Sequence, residues 1–226
     1  MLSIIIPTLN AGAVLKTTLA SLVPTESNSV THEIIVVDGG SNDDTAIIAT
    51  DRGAILLESV PGRGQQLGEG AAAAAGDWLL FLHADTRPET GWWDAIVAFT
   101  ADPANNSAAA YFVFALDDDS RPARLLEHIV RLRSSIFRLP YGDQGLLIHR
   151  SHYERLGGYR RVPIMEDFDL VRRIGSRNLK SLNVVAITSA LKYRRDGYLL
   201  RPLLNLLTLG LYAAGVSPNH LNWLRR

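Results

Sequence analysis

Cysteine is absent from the 226-residue chain, which excludes disulfides, thiolate nucleophiles and cysteine-ligated zinc and fits a reducing compartment. Net charge is missing too. The 23 basic and 23 acidic side chains cancel, so no overall field draws the protein to nucleic acid and no nucleic-acid partner is expected. No basic region precedes the first apolar run, and Pro7 ends that run early, so no signal peptide is expected and the expected location is cytoplasmic. No apolar run reaches the roughly 20 residues of a membrane span; the leucine-rich tail from Tyr198 to Val216 is interrupted by Arg201, Pro202, Asn205 and Thr208. Gly-x-Ser-x-Gly and Walker motifs are absent. Gly62-Arg63-Gly64 does not follow the first strand, as a dinucleotide-binding fingerprint must. His128, His149 and His152 lack the spacing of a zinc site.

What is present is an alternation of short apolar runs with helical patterns, which predicts a doubly wound α/β sheet. Ser3–Thr8, Glu33–Asp38, Ala54–Leu57 and Trp78–Leu82 read as strands. Between them, Val14–Leu22 up to Pro24, a run from Ala46 to Ala49 and an alanine-rich stretch ending near Gly76 read as helices. Ser41 and Asp44 stand at capping-box spacing before the second helix, and a polar loop follows Pro24. In the second half the pattern predicts a helix around Trp92–Phe99, a strand over Ala108–Leu116 and an amphipathic helix over Arg124–Leu139. Short strands are predicted at Leu146–His149 and Asn183–Ile187. Trp92 and Trp93 read as core, with sugar stacking the alternative for one of them. No linker or repeat divides the chain, so a single domain over 1–226 is expected.

The stretch GDWLLFLHADTRP, Gly76 to Pro88, organises the rest. A buried strand there delivers an acid to the carboxyl edge of the sheet, where ligands of open α/β folds collect. Alternation places His83 and Asp85 on the same side. Asp85 either holds a divalent cation against phosphate oxygens or caps a helix beginning near Pro88. Asp38 ends the second strand. Glu166-Asp167 open a late stretch, MEDFDLVRR, that begins acidic and ends basic, as suits a helix dipole.

In order, SIIIPTLN, IIVVDGGSNDDT, GRGQQLGEGAAAAAGDWLLFLHADT, YGDQGLLI and GGYRRVPIMEDFDLVRRI resemble family 2 glycosyltransferases of the GT-A fold. They are most similar to a short bacterial subgroup associated with radical-SAM and arsenosugar gene sets. The resemblance implies a Rossmann-like mixed sheet flanked by helices, followed by a helical tail. It implies a nucleotide-sugar-binding half over 1–90 and an acceptor half over 91–197, with the tail over 198–226. It also implies an inverting transfer from a nucleotide diphosphate sugar, UDP-linked, to an acceptor hydroxyl. Pro7, Thr8 and Asp38 would border the nucleoside, and Arg63 the base or phosphate. His83-Ala84-Asp85 takes the Asp-x-Asp position, where Asp85, with His83 in place of the first Asp, would hold Mn2+ or Mg2+. Asp167 would be the general base with Glu166 orienting it, and Gly142, Asp143 and Gln144 would line the acceptor side. The chain departs from the pattern at His83 and at Gly39, where a second Asp is common; manganese tolerates a nitrogen ligand better than magnesium does.

Lys192, Arg194 and Arg195 read as a solvated basic turn, with assistance to the leaving group the alternative, and Asp117–Asp119 as an acidic turn. The tail is expected to pack on its own domain or on a second subunit. Peripheral contact with the inner membrane through Leu199, Leu203, Leu206 and Leu207, with Arg201 and the closing Arg225-Arg226, is the alternative. Two rival functions stand beside the transferase: a sugar nucleotidyltransferase, which would release pyrophosphate, and an inactive nucleotide-sugar-binding protein.

Overall fold

In a computed structural model the chain is described at residues 1–226 except 24–30, 137, 163, 199 and 222–226. The polar loop after Pro24, Leu199 and Arg225-Arg226 therefore lie outside the described residues. Strands β1 (Leu2–Thr8), β2 (His32–Asp38), β3 (Ile55–Glu58) and β4 (Trp78–Phe81) alternate with helices α1 (Gly12–Ser21), α2 (Thr45–Asp51) and α3 (Arg63–Ala73). Next come β5 (Thr86–Pro88), α4 (Trp92–Ala101), β6 (Ala109–Leu116), α5 (Arg121–Ile136), β7 (Leu146–His149), α6 (Arg150–Arg155), α7 (Glu166–Ile174) and β8 (Leu179–Thr188). Helices α8 (Leu191–Asp196), α9 (Leu200–Ala213) and α10 (Pro218–Leu221) close the described chain.

Among the described residues the strands form one eight-stranded sheet in the order β3-β2-β1-β4-β7-β6-β8-β5. The first four are parallel, β7 runs antiparallel to β4 and β6, and β5 runs antiparallel to β8. Ile4, Ile5 and Ile6 are all fully buried, because a strand between parallel neighbours with helices on both faces meets apolar surface on each side. Ile4 and Ile6 join a core with α1 and both tryptophans, Trp92 and Trp93; Ile5 joins the opposite core with α3 and α7. The tryptophans are thus core residues, not a sugar platform. Gly70 lets α3 lie against the sheet, since a Cβ there would run into the side chain of Ile5.

Several sequence expectations are corrected. The chain from Thr86 to Pro88 is an edge strand and the next helix begins at Trp92, so Asp85 caps no helix. Ser41 does not form a capping box: α2 begins at Thr45 behind Asp44, which makes no side-chain cap, and the Ser41 hydroxyl accepts from the Asn10 N–H at 2.7 Å while donating to Asp38 Oδ1 at 2.5 Å. Asp43 instead accepts from the Thr45 backbone N–H. The supposed basic turn is the helix α8.

Candidate active site

The carboxyl ends of β4 and β8, the segment entering the amino end of the antiparallel β7 and the start of α7 meet at one open cavity of about 810 Å3. His83 and Asp85 arrive on the turn after β4. The Ser189 N–H donates to the Asp85 carbonyl at 2.9 Å, the Thr86 and Thr188 hydroxyls meet at 2.9 Å, and Thr188 donates to the Asp143 carbonyl at 3.2 Å. Those three contacts pin the ends of three segments to each other. All of His83, Asp85, Gly142, Asp143, Glu166 and Asp167 line the cavity.

Asp167 begins α7 behind Met165, whose left-handed backbone (φ 67°) is an uncommon conformation for a residue with a side chain. Tyr159 donates its phenol O–H to Asp167 Oδ1 at 3.2 Å, with its ring edge-on to Phe81. Arg63 Nη1 lies 3.2 Å from Glu166 Oε1 and 3.9 Å from Asp167 Oδ2, while His83 Nε2 is 4.0 Å from Asp167 Oδ2. Burial, and then the neighbouring charge of Glu166, push the Asp167 carboxyl up to about 7, against the pull of Arg63. Two glycines make this crowding feasible. A Cβ on Gly142 would run into the Asp167 carboxylate and the His83 ring, and one on Gly64 would run into the Arg160 carbonyl.

Asp85 behaves oppositely. Burial favours its neutral form, but Lys192, His83 and Arg63 outweigh burial and hold the carboxyl below its usual range. Lys192 Nζ sits 2.8 Å from Asp85 Oδ2. Asp143 is pushed up by burial, against Arg133, and its Oδ1 is shut off from solvent with no hydrogen-bond partner among the described residues.

Other expected residues sit elsewhere. Pro7, Thr8 and Asp38 end β1 and β2 and do not line the cavity. Asp38 accepts from the Thr8 and Ser41 hydroxyls and the Gly40 and Ser41 N–H groups; burial opposes its ionisation, but these bonds, led by Ser41, keep it low. Gln144 does not line the cavity either. It is 1% exposed, accepting from Ser134 and Arg133 and donating to the Phe112 carbonyl. Arg194 turns away to Asp118, which also accepts from Tyr198. The sequence pattern gave no sign of Tyr159, nor of Gln66, whose amide donates to the Thr8 and Val37 carbonyls at 2.8 Å and ties the ends of β1 and β2.

No three His, Asp or Glu side chains converge on a metal position among the described residues. The donor set nevertheless fits a cation that takes most of its shell from a substrate: an ionised carboxylate facing the cavity, with an imidazole beside it.

Residues 3–163 match the profile of Glycosyl transferase family 2. A PGL/p-HBAD biosynthesis glycosyltransferase of Mycobacterium bovis (strain BCG) is 40% identical over 92 residues, covering 38% of this chain and 35% of that protein. A glucosyl-3-phosphoglycerate synthase of Mycobacterium tuberculosis is 33% identical over 93 residues, covering 37% and 28%. These matches thus take in about a third of the relatives' own lengths. Among solved structures, the latter enzyme with Mn2+, UDP-glucose and phosphoglyceric acid superposes with a TM-score of 0.58 at 22% identity, over 84% of this chain and 70% of that one. A mannosyltransferase from Pyrobaculum calidifontis with GDP-Man and Mn2+ gives 0.70 at 20% identity, over 99% and 69%.

Proposed function

The chain belongs to glycosyl transferase family 2, and on that premise we propose that it moves a sugar from a UDP-linked donor to an acceptor hydroxyl with inversion at the anomeric carbon. One observation carries the reading. Two carboxylates open onto the same cavity with their proton affinities driven apart, Asp85 held ionised and Asp167 raised to about 7. A pair so separated divides the labour: the group that titrates near neutrality moves a proton, and the permanently charged one stabilises.

Asp167 takes the proton of the acceptor hydroxyl as its oxygen bonds to the anomeric carbon. The bond from that carbon to the diphosphate oxygen breaks, and the nucleoside diphosphate leaves with the electron pair. Tyr159 holds the Asp167 carboxylate from one oxygen while Arg63 and His83 face the other. Arg63, bonded to Glu166, keeps the two adjacent acids from repelling each other out of position. Asp85, with His83 beside it, would hold Mn2+ or Mg2+, which would supply charge neutralisation for the leaving diphosphate. The relatives' complexes with UDP-glucose, Mg2+ or Mn2+ support that choice of donor and cation.

The cavity draws on residues from the stretches 1–90, 91–197 and 198–226, which supports one domain with donor, acceptor and tail segments. The motif run favours membership of the short bacterial subgroup associated with radical-SAM and arsenosugar gene sets.

Calorimetry with UDP, with and without Mn2+, tests donor binding. UDP release by wild type and Asp167→Asn then tests the base. A fall of about 10²- to 10⁴-fold with UDP binding retained is expected. Full turnover in the variant removes Asp167 from the mechanism; pyrophosphate release from a nucleoside triphosphate would favour the nucleotidyltransferase.

A further inference from the structure

Two kinds of wall enclose the cavity. Around Asp85 the lining is polar. Beyond Asp167 it turns apolar, formed by Tyr141, Met165, Phe168, Leu200 and Leu204. That second wall is built rather than incidental. Met165 and Phe168 are 8% exposed and share a cluster with Tyr141 and with Leu209 and Tyr212 of α9. Phe168 meets Tyr212 edge-on at 5.8 Å, and the Arg133 guanidinium lies 3.7 Å over the Tyr141 ring. The wall reaches open solvent at Leu200 and continues along α9 through Leu203 and Leu207, which are 58%, 63% and 49% exposed. Spacings of three and four residues place these on one stripe of the helix.

The charge in the cavity points the same way. Five carboxylates face three lysine or arginine side chains there, and each of those cations has an acidic partner: Arg63 with Glu166, Lys192 with Asp85, Arg195 with Asp196. Burial pushes Asp143 and Asp167 toward their neutral forms, so the other three carboxylates balance the three cations and no lysine or arginine of the lining is left over for a second anionic substrate; the cation accompanying a diphosphate is likewise matched by that diphosphate. An acceptor bearing phosphate or carboxylate is disfavoured, because every lysine or arginine in the lining already faces an acid. An uncharged acceptor is not.

We propose that the acceptor is an uncharged alcohol carrying an apolar chain or ring, its hydroxyl at Asp167 and its apolar body along Tyr141, Phe168, Leu200 and Leu204. This rests on the glycosyltransferase reading and adds the substrate class to it. Apolar surface removed from water in such a corridor adds affinity in proportion to its area. Affinity should therefore grow with chain length until the wall is covered.

The test is calorimetry on the full chain, with and without UDP and Mn2+, using methyl, butyl, hexyl and octyl glucoside below micelle-forming concentrations, and phosphoglycerate as the anionic comparison. Each added methylene should tighten binding by about two- to fourfold. Phosphoglycerate should bind more weakly than the octyl compound. Leu204→Glu and Leu200→Glu should flatten the chain-length series while the UDP titration and the circular dichroism spectrum stay those of wild type. A series already flat in wild type, or tighter binding of phosphoglycerate, overturns the proposal. A variant that loses its wild-type spectrum is replaced by Leu204→Asn, for which the same flattening is required. Failure of UDP to bind counts against the donor assignment instead, and the alkyl series then still decides the acceptor class on the nucleotide-free protein.

Discussion

Lys192 Nζ lies 2.8 Å from Asp85 Oδ2, so a side chain on α8 occupies one oxygen of the carboxylate that a divalent cation would use. The lysine is about half exposed, which lets it swing from the carboxylate to an incoming diphosphate. Lysine and metal therefore compete at Asp85 before nucleotide binds and act in the same direction afterwards. An ammonium and a divalent cation about 5 Å apart repel by roughly 1.7 kcal/mol even in a water-like dielectric, and salt screening takes off about half of that. Lys192→Met should accordingly tighten Mn2+ binding to the nucleotide-free protein by about three- to tenfold and weaken UDP binding without metal. Calorimetric titration of each ligand measures both. Unchanged Mn2+ affinity would mean that the ion pair does not guard the site.

The raised proton affinity of Asp167 has a stability consequence of fixed sign. Its carboxyl goes from 3.8 to about 7 on folding, so between those values the folded protein keeps a proton that the unfolded chain has released. Stability from this group is present at low pH and is lost as pH rises toward and through 7. Asn cannot ionise, so Asp167→Asn should be more stable than wild type at pH 8, with the advantage shrinking toward pH 5. Thermal unfolding at the two pH values shows the difference. Turnover of the wild type runs the other way, falling by up to tenfold per pH unit below about 7 as the base becomes protonated. A variant no more stable than wild type at pH 8 would argue that the carboxyl is not pushed up by burial.

The long buried strands were legible because parallel packing leaves near-continuous apolar runs, as in Ile4–Ile6 and Trp78–Leu82. Asp85 and Asp167 were legible from their place in an ordered set of motifs, and they share a cavity as expected. What escaped depends on contacts distant in the chain. Three residues ending in proline, Thr86-Arg87-Pro88, carry no strand signal and become β5 only by pairing with β8 about a hundred positions later. Tyr159 reads as part of a loop beside Gly157-Gly158, and the packing of Phe81 and Tyr153 against its ring sets it beside Asp167. Lys192, read as part of a solvated basic turn with assistance to the leaving group as the alternative, reaches Asp85 across 107 residues. The Ser41 capping box failed because α2 begins at Thr45, too late for Ser41 to be its cap, and the Ser41 oxygen instead accepts from the Asn10 N–H, 31 positions earlier.

Gln144 separates structure from function within one short motif. Gly142 and Asp143 line the cavity, whereas the Gln144 side chain points into the protein, bonded to Ser134, Arg133 and the Phe112 carbonyl. Replacing it with leucine keeps the volume close but leaves the Phe112 carbonyl and the Ser134 hydroxyl without those partners in a site 1% exposed. Losing such bonds costs about 1–3 kcal/mol, or about 3–10 °C in a domain of this size. Gln144→Leu should therefore lower the unfolding temperature by that amount while the KM for acceptor stays near wild type. The reverse pattern, an unchanged unfolding temperature with a raised KM for acceptor, would return Gln144 to the acceptor side of the site.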